Sequence, residues 1–244
     1  MIINLNKEMI SGGHSNMAPF PVIDYSVIFS NVDQQFGRVT PANAYFHTAD
    51  WTLSYWWKLP APAPNKFFYF QSGNLQSTMH ASLGYVRWRF EDVDGNNNII
   101  TSTVNVCDGD WHHIAISCDR DGDIEMYVDG ALDVTATCNL SATMDEATDR
   151  KLFFGLFDST GTYYDGQIDQ LAIFQLAFNS TQISSLYNSG NGVSNWTIMP
   201  ISKSYWEFNE GSGTTASAFG SAATDMSLLS GTGNPVQWVG GLTD

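Results

Sequence analysis

The stretch from residue 111 to residue 138 constrains the fold of this chain more than any other. Three runs in it, 111–118, 123–128 and 131–138, alternate apolar and polar residues with a period of two. Asp129-Gly130 separates the last two runs, and this dipeptide favours a type I′ turn because both positions tolerate positive φ. The pattern therefore predicts three consecutive antiparallel strands.

Side chains alternate across a strand, so each run has one face that is predicted to be buried. The predicted core face is Ile114, Ile116, Cys118, Ile124, Met126, Val128, Leu132, Val134, Ala136 and Cys138. The opposite face is predicted to be a polar and partly aromatic surface of His113, Ser117, Glu125, Tyr127, Asp133, Thr135 and Thr137. Two of the three cysteines therefore point inward.

Short alternating runs separated by Gly, Asn and Asp recur along the rest of the 244 residues, which predicts an all-β protein. The exception is residues 179–190, which predict one short helix capped by Asn179 or Ser180 and ended by Gly190. A large β-sandwich reaches about this length as one domain, so we expect an N-terminal arm, 1–21, and a single domain, 22–244.

Four stretches resemble the laminin-G-like branch of the concanavalin A-like lectin and glucanase superfamily. They are Trp51 to Lys58, Asp110 to Ala115, Tyr127 to Gly130, and Gly166 to Phe174 with the Ile183 to Tyr187 helix. The likeness covers residues 22–190. It implies a jelly-roll β-sandwich of two antiparallel sheets with about six or seven strands each.

The order of the segments departs from that family. Residues 203–240 resemble the segment that normally opens the domain, yet here they close the chain. A circular permutation explains this order, and so does the severed first strand of a second tandem copy. Within the first explanation the strand is either paired in its own chain or donated to a neighbour.

Charge and cysteine content restrict the partners and the compartment. With 25 acidic and 10 basic residues the net charge is −15, which argues against a nucleic-acid partner. The N-terminal residues resemble neither a signal peptide nor a membrane span, and Cys107, Cys118 and Cys138 lack zinc-site spacing, so we expect reduced thiols made in a cytoplasm. A chain that is made in a cytoplasm but resembles an extracellular type of module is expected at a virion surface, and otherwise at an extracellular surface.

No pattern predicts catalytic residues. The acidic run Glu91 to Asp94 leads into glycine and asparagines and is predicted to be a solvated hairpin loop. His112 and His113 are neighbours on a strand, so they point in opposite directions and cannot jointly bind a metal.

Related jelly rolls hold a structural calcium at the sandwich edge, and the resemblance places it at Asp169 with Asp165 nearby. Asp169 alternates with Leu171 and Ile173, so it is predicted to face the core, where a carboxylate needs a partner. Glu207, Asn209 and Glu210 are the predicted co-ligands, since their oxygens suit a hard cation. The alternative is that Asp169 only accepts backbone N–H groups.

Carbohydrate binding requires exposed aromatic rings beside amide or carboxylate groups. The predicted platform residues are Trp56, Trp88, Tyr127, Tyr163 and Tyr164. The alternative is that these rings fill the core.

The function expected from these features is that of a non-catalytic recognition or structural module on a viral or phage particle, such as a capsid decoration or fibre protein. Its partners would be glycans or neighbouring subunits, including other copies of itself. The alternatives are a free lectin or adhesin and, less favoured, a polysaccharide hydrolase or lyase.

Overall fold

A computed structural model describes residues 25–40, 46, 48–59, 66–72, 75–82, 84–144, 150–157, 162–163, 165–194, 196, 202–221 and 223–242. Within these residues no helix has the length and apolar character needed to cross a bilayer. The predicted arm, 1–21, lies outside them, so the predicted domain boundary stays a prediction.

Two antiparallel sheets make up the fold. The first contains β1 (Tyr25–Phe29), β3 (Trp51–Lys58), β8 (Trp111–Cys118), β9 (Asp123–Val128), β10 (Ala131–Thr137), β14 (Gly166–Phe174), β15 (Ser202–Trp206), β17 (Ala218–Phe219) and β19 (Gln237–Gly240). The second contains β2 (Gln35–Val39), β4 (Lys66–Ser72), β5 (Leu75–Ser82), β6 (Tyr85–Glu91), β7 (Asn97–Thr101), β11 (Arg150–Phe154), β16 (Thr215–Ala216) and β18 (Met226–Ser230). A separate short ladder joins β12 (Leu156–Phe157) to β13 (Thr162–Tyr163).

The first sheet runs in the order β10, β9, β8, β3, β14, β1 and β19, with β15 and β17 beside β14. The second runs β16, β18, β2, β11, β4, β5, β6 and β7. The predicted jelly-roll sandwich is confirmed, with nine and eight strands among the described residues. The C-terminal segment contributes five of these strands, β15 to β19, of two to five residues each.

The core lies between the sheets and is rich in aromatic rings. Its largest fully buried side chains are Trp51, Trp57, Trp88, Trp206, Tyr55, Phe29, Phe90, Phe154, Phe174 and Phe208, of which Phe174 belongs to the second cluster described below. Each such ring removes about 150–250 Å² of surface from water, so burial of the rings is the main stabilising term.

The closing segment completes the first sheet. β15 pairs antiparallel with β14 of the same chain, with Leu171 opposite Trp206. β19 pairs with β1, which places Gly240 opposite Tyr25. The strand therefore lies in its own chain's sheet, as an intramolecular permuted arrangement requires.

A turn and a short helix form where the sequence predicts them. Asp129 and Gly130 have φ values of 50° and 76°, as a type I′ turn requires. Helix α1 spans Ser180–Tyr187, and the side chain of Asn179 accepts a hydrogen bond from Gln182 N at 3.0 Å. The helix ends earlier than predicted, because Asn188 takes the left-handed conformation that Gly190 was expected to supply.

Part of the outer face of the first sheet is not the predicted polar surface. His113, Ser117 and Tyr127 are buried beneath α1 and the segments beside it. A second apolar cluster forms there from Ala115, Tyr127, Ala172, Phe174, Phe178, Ile183, Leu186 and Val193. Thr135 and Thr137 on β10 are exposed as predicted. The prediction was wrong for His113, Ser117 and Tyr127 because strand alternation cannot reveal that a distant helix covers them.

A β-bulge corrects the predicted face of one further residue. The register shifts between Leu132, which lies opposite Tyr127, and Val134, which lies opposite Met126. Leu132 is therefore 53 % exposed on the outer side, whereas Val134 packs against the core as predicted. The predicted inward residues of β8 and β9 are buried.

Candidate functional site

A row of polar side chains crosses one end of the first sheet on its outer face. Strand pairing places Gln237 opposite Ile28, Ile28 opposite Gln167, and Gln167 opposite Lys58. Directly paired residues share a face, so these side chains stand side by side across β19, β1, β14 and β3. All four are at least partly exposed.

Loops on both sides deepen this row into a cleft of about 440 Å³, here called the rim cleft. Its lining is Ile28, Phe29, Ser30, Asp33, Gln35, Lys58, Gly109, Asp165, Gly166, Gln167 and Gln237. It thus joins an apolar floor to amide, carboxylate, hydroxyl and ammonium groups, a combination typical of sites for small polar ligands.

Several lining groups are held in place by the backbone. Asp165 accepts a hydrogen bond from Asn31 N at 2.7 Å, and Gln35 donates from Nε2 to the carbonyl of Pro235 at 2.9 Å. Asp33 accepts from the Asn234 side chain at 2.7 Å. These bonds link the three chain segments around the cleft, so its polar groups are positioned before any ligand arrives.

One aromatic ring adjoins the rim cleft. Trp111, which is partly exposed, is directly opposite Lys58 in the register and therefore extends the row. Tyr163 is also partly exposed, but it packs on Phe36, with ring centroids 6.3 Å apart, and is not among the residues that line the cleft. Of the predicted platform residues whose placement is described, only Tyr163 has exposed surface.

The structure contradicts three of the predicted sugar platforms. Trp56 and Tyr127 are each 2 % exposed, Trp56 stacking on Tyr187 of α1 and Tyr127 lying in the covered cluster. Trp88 is 1 % exposed and donates to the Tyr55 hydroxyl at 3.0 Å inside the core. None of these rings presents a face to a ligand, and Tyr164 lies outside the described residues.

The predicted calcium ligands do not form one site. Asp165 is in the rim cleft, and Asp169 lies about 13 Å further along β14 at the usual rise of a strand. Asn209 accepts a hydrogen bond from Tyr25 N at 3.2 Å, whereas Glu210 accepts one from Ser217 N at 2.6 Å. Glu207 directly follows β15 and is partly buried. The described part of the chain contains no cluster of three or more acidic, histidine or cysteine side chains suited to a metal ion.

A bulge in β14 explains why the predicted core-facing orientation of Asp169 was wrong. Gln170 has a φ of 43°, and the register with β3 shifts between Asp169 and Ala172. Asp169 consequently shares the outer face with Trp56 instead of facing the core with Leu171. It is fully buried, and its Oδ1 accepts the N–H of Gln170 at 2.7 Å, which is the alternative that the sequence left open.

The predicted solvent exposure of a second carboxylate, Asp92, was also wrong. Asp92 is fully buried and accepts from Asn96, Ser141 and Ala142 instead of lying in a solvated loop. Burial opposes its ionisation, but these N–H donors outweigh that effect and lower the pKa of Asp92. Its role is to tie the turn after β6 to the segment after β10.

The neighbouring histidines occupy opposite environments. His113 Nε2 is 2.8 Å from Ser54 Oγ, and burial lowers the pKa of His113 to about 3. His112 lies between Asp129, 2.8 Å from Nδ1, and Asp108, 3.1 Å from Nε2. The hydrogen bond to Asp129 leads the interactions that raise the pKa of His112.

A stack of three aromatic rings is a further exposed feature. Tyr205 lies between Trp196 and Phe219, with centroid distances of 4.4 and 5.2 Å. Phe219 is 45 % exposed. This stack is the rival location for a ligand, although the described residues in contact with it are aromatic.

Solved structures resemble this fold at low sequence identity. A candidate carbohydrate binding protein from Bacteroides ovatus aligns with a TM-score of 0.64 and 13 % identity over 89 % of this chain and 60 % of its own. A heptameric SAP-like pentraxin from Limulus polyphemus aligns with a TM-score of 0.58 and 14 % identity over 87 % of this chain and 98 % of its own. The binding domain of Paraclostridial Mosquitocidal Protein 1 aligns with a TM-score of 0.52 and 18 % identity over 80 % of this chain and 56 % of its own.

At these identities the likeness establishes the fold alone, and the chain spans little more than half of the first and third of these proteins. A search of curated proteins finds no significant sequence match. The family model Laminin_G_3, described as concanavalin A-like lectin/glucanases superfamily, matches residues 33–184. With more than half of its length matched, the chain belongs to the concanavalin A-like lectin/glucanases superfamily.

Proposed function

We propose that this chain is a non-catalytic recognition module that binds a glycan in the rim cleft. The observation that carries the proposal is the polar row from Gln237 to Lys58, set on the ends of paired strands beside an apolar floor. Amide groups can donate to and accept from sugar hydroxyls, and carboxylates can accept from them, while Ile28 contacts the apolar face of a ring. The resemblance to a candidate carbohydrate binding protein supports the same ligand class.

The test is a glycan array followed by calorimetric titration of the strongest hit. Gln167→Ala removes a central amide of the row, and Asn97→Ala removes an exposed amide from the edge strand β7 of the second sheet as a matched control. We expect the first variant to lose binding and the second to keep it. Equal binding by both would overturn the cleft as the site.

The need for calcium is tested separately, because the five predicted ligands do not converge among the described residues. Titrations in calcium and in EDTA measure whether the rim cleft binds its glycan with the help of a cation. We expect equal affinity in both buffers. A loss in EDTA that added calcium restores would show that a metal takes part.

Hydrolysis is the competing function, since Asp33 and Asp165 both line the cleft and the family name includes glucanases. The support for binding without turnover is that each carboxylate already accepts hydrogen bonds that fix the surrounding loops. Prolonged incubation of the bound polysaccharide should release no reducing ends. Release that Asp165→Asn abolishes would make the protein an enzyme.

The proposed setting is the surface of a viral or phage particle, with a free lectin or adhesin as the alternative. Its support is the combination of an extracellular type of module, reduced cysteines and a net charge of −15. Co-sedimentation with purified particles tests it. Recovery only as a free protein in the medium would favour the lectin.

A further inference from the structure

Two cysteine side chains meet at the turn end of the β8–β9 hairpin. Cys118 ends β8 opposite Ile124, and Cys138 follows β10 and donates its N–H to the carbonyl of Gly122 at 3.0 Å. The hairpin tip lies between them in the chain, and their sulfur atoms are 3.4 Å apart. A disulfide needs about 2.05 Å, so a small closing movement of the side chains separates this contact from a bond.

Only one of the two thiols is accessible. Cys118 is fully buried, whereas Cys138 is partly exposed and lines a surface cavity of about 370 Å³. The cavity is also lined by Thr48, Arg120, Asp121, Asn139, Leu140 and Ser141. A small reagent therefore reaches Cys138 first, with Cys118 directly behind it.

Hydrogen bonds at the pair, with a smaller contribution from a nearby charge, favour the thiolate on the accessible side. The hydrogen bond with Cys118, the N–H of Leu140 and the charge of Arg120 lower the pKa of Cys138, against burial and the charge of Asp119. The same hydrogen bond, followed by burial, raises the pKa of Cys118. Among the described residues, Asp50 and Asp121 are further charged groups beside the pair.

We propose that Cys138 and Cys118 are the attacking and resolving thiols of a site that a low-molecular-weight disulfide converts to an intramolecular disulfide. The Cys138 thiolate attacks one sulfur of the reagent, forms a mixed disulfide and releases one reagent thiolate. Cys118 then attacks the Cys138 sulfur, and the second reagent thiolate leaves with the proton of Cys118. The protein loses two electrons and two protons, and one reagent disulfide becomes two thiols.

The third cysteine serves as an internal control. Cys107 is 1 % exposed, and burial raises its pKa to about 12, so it lacks both access and thiolate character. A chain made reduced would acquire this disulfide in oxidising surroundings. The bond would join the end of β8 to the end of the edge strand β10.

The test treats the folded protein with oxidised glutathione, then unfolds it, alkylates the remaining thiols and measures the intact mass. In the wild type and Cys107→Ser we expect a disulfide that peptide mapping assigns to Cys118 and Cys138. Cys118→Ser should stop at one glutathione adduct on Cys138, and Cys138→Ser should gain neither adduct nor disulfide. Three alkylatable thiols in the treated wild type, or a disulfide that contains Cys107, would overturn the proposal.

Two measurements on the wild type stay decisive if a variant fails to fold. A thiol-reactive dye should find one fast thiol in the native protein and three after denaturation, whereas three slow thiols in the native protein would contradict the assignment. The oxidised protein should melt about 5 °C or more above the reduced one, because the bond closes a loop of some twenty residues. Addition of a reducing thiol should reverse that rise, and an unchanged melting temperature would count against an intramolecular bond.

Discussion

Two neighbouring rows of side chains on the outer face of the first sheet differ in their exposure to solvent. The rim row, Gln237, Ile28, Gln167 and Lys58, has exposed surface and opens into a cleft. Two residues further along the strands, the covered row of Asp169, Trp56 and His113 is buried, with Tyr187 of α1 in contact with the last two. The two rows share strands β14 and β3, so the overlying helix decides which one packs and which one remains available to a ligand.

The covered row should dominate stability. Trp56→Ala removes a buried ring that contacts both His113 and Tyr187, and we expect the free energy of unfolding to fall by about 3–5 kcal/mol. Urea denaturation measures this loss. A cost below about 1 kcal/mol would mean that the helix does not depend on this row.

His113 should make the covered row sensitive to acid. Its pKa is about 3 in the folded protein and about 6.5 when unfolded, so the unfolded chain binds more protons between these values. The contribution of His113 is fully present above pH 6.5, and about 2 kcal/mol of it should be lost by pH 5. Urea titrations of the wild type and His113→Gln at both pH values isolate it, and parallel pH profiles would contradict the assignment.

The rim row should govern binding with little effect on stability. We expect Gln167→Ala to weaken glycan affinity by about tenfold or more, while the free energy of unfolding changes by about 0.5 kcal/mol or less. Calorimetry and urea denaturation on the same preparation provide both numbers. A large loss of stability without a specific loss of affinity would place Gln167 with the packing residues.

His112 should show the smallest effect, with the opposite sign to that of His113. Its pKa is raised in the folded state, so its pairing stabilises the protein below about pH 6.5 and is lost as the pH rises through the folded-state pKa. Because Asp108 is largely solvated, we expect less than about 1 kcal/mol. Asp108→Asn should reduce this pH dependence, and an unchanged profile would assign the effect to Asp129 alone.

The inner face of the sandwich was predictable, and the outer face was not. Period-two alternation and the Asp129-Gly130 turn define strands β8 to β10 and bury Ile114, Ile116 and Met126. Alternation fails at Leu132 and Asp169, because an inserted bulge residue reverses the faces without a clear sequence signal.

The rim cleft was harder to predict because long-range pairing builds it. The sequence predicts Asp165 as a calcium ligand and not as part of a cleft. It predicts Tyr163 as a sugar platform but gives no indication of the residues around it. Gln167, Lys58 and Gln237 become neighbours only through the register of four strands that are distant in the sequence. The Gly166 to Phe174 motif contained the signal at Gln167, yet nothing local identifies its partners.

An amide chemical-shift titration with the strongest glycan of the array tests the central claim most directly. The account predicts that perturbations concentrate at Gln167, Gln237 and the loop from Ser30 to Gln35, and that Gln167→Ala removes them. Perturbations confined to the stack of Trp196, Tyr205 and Phe219, with the rim cleft unchanged, would contradict it.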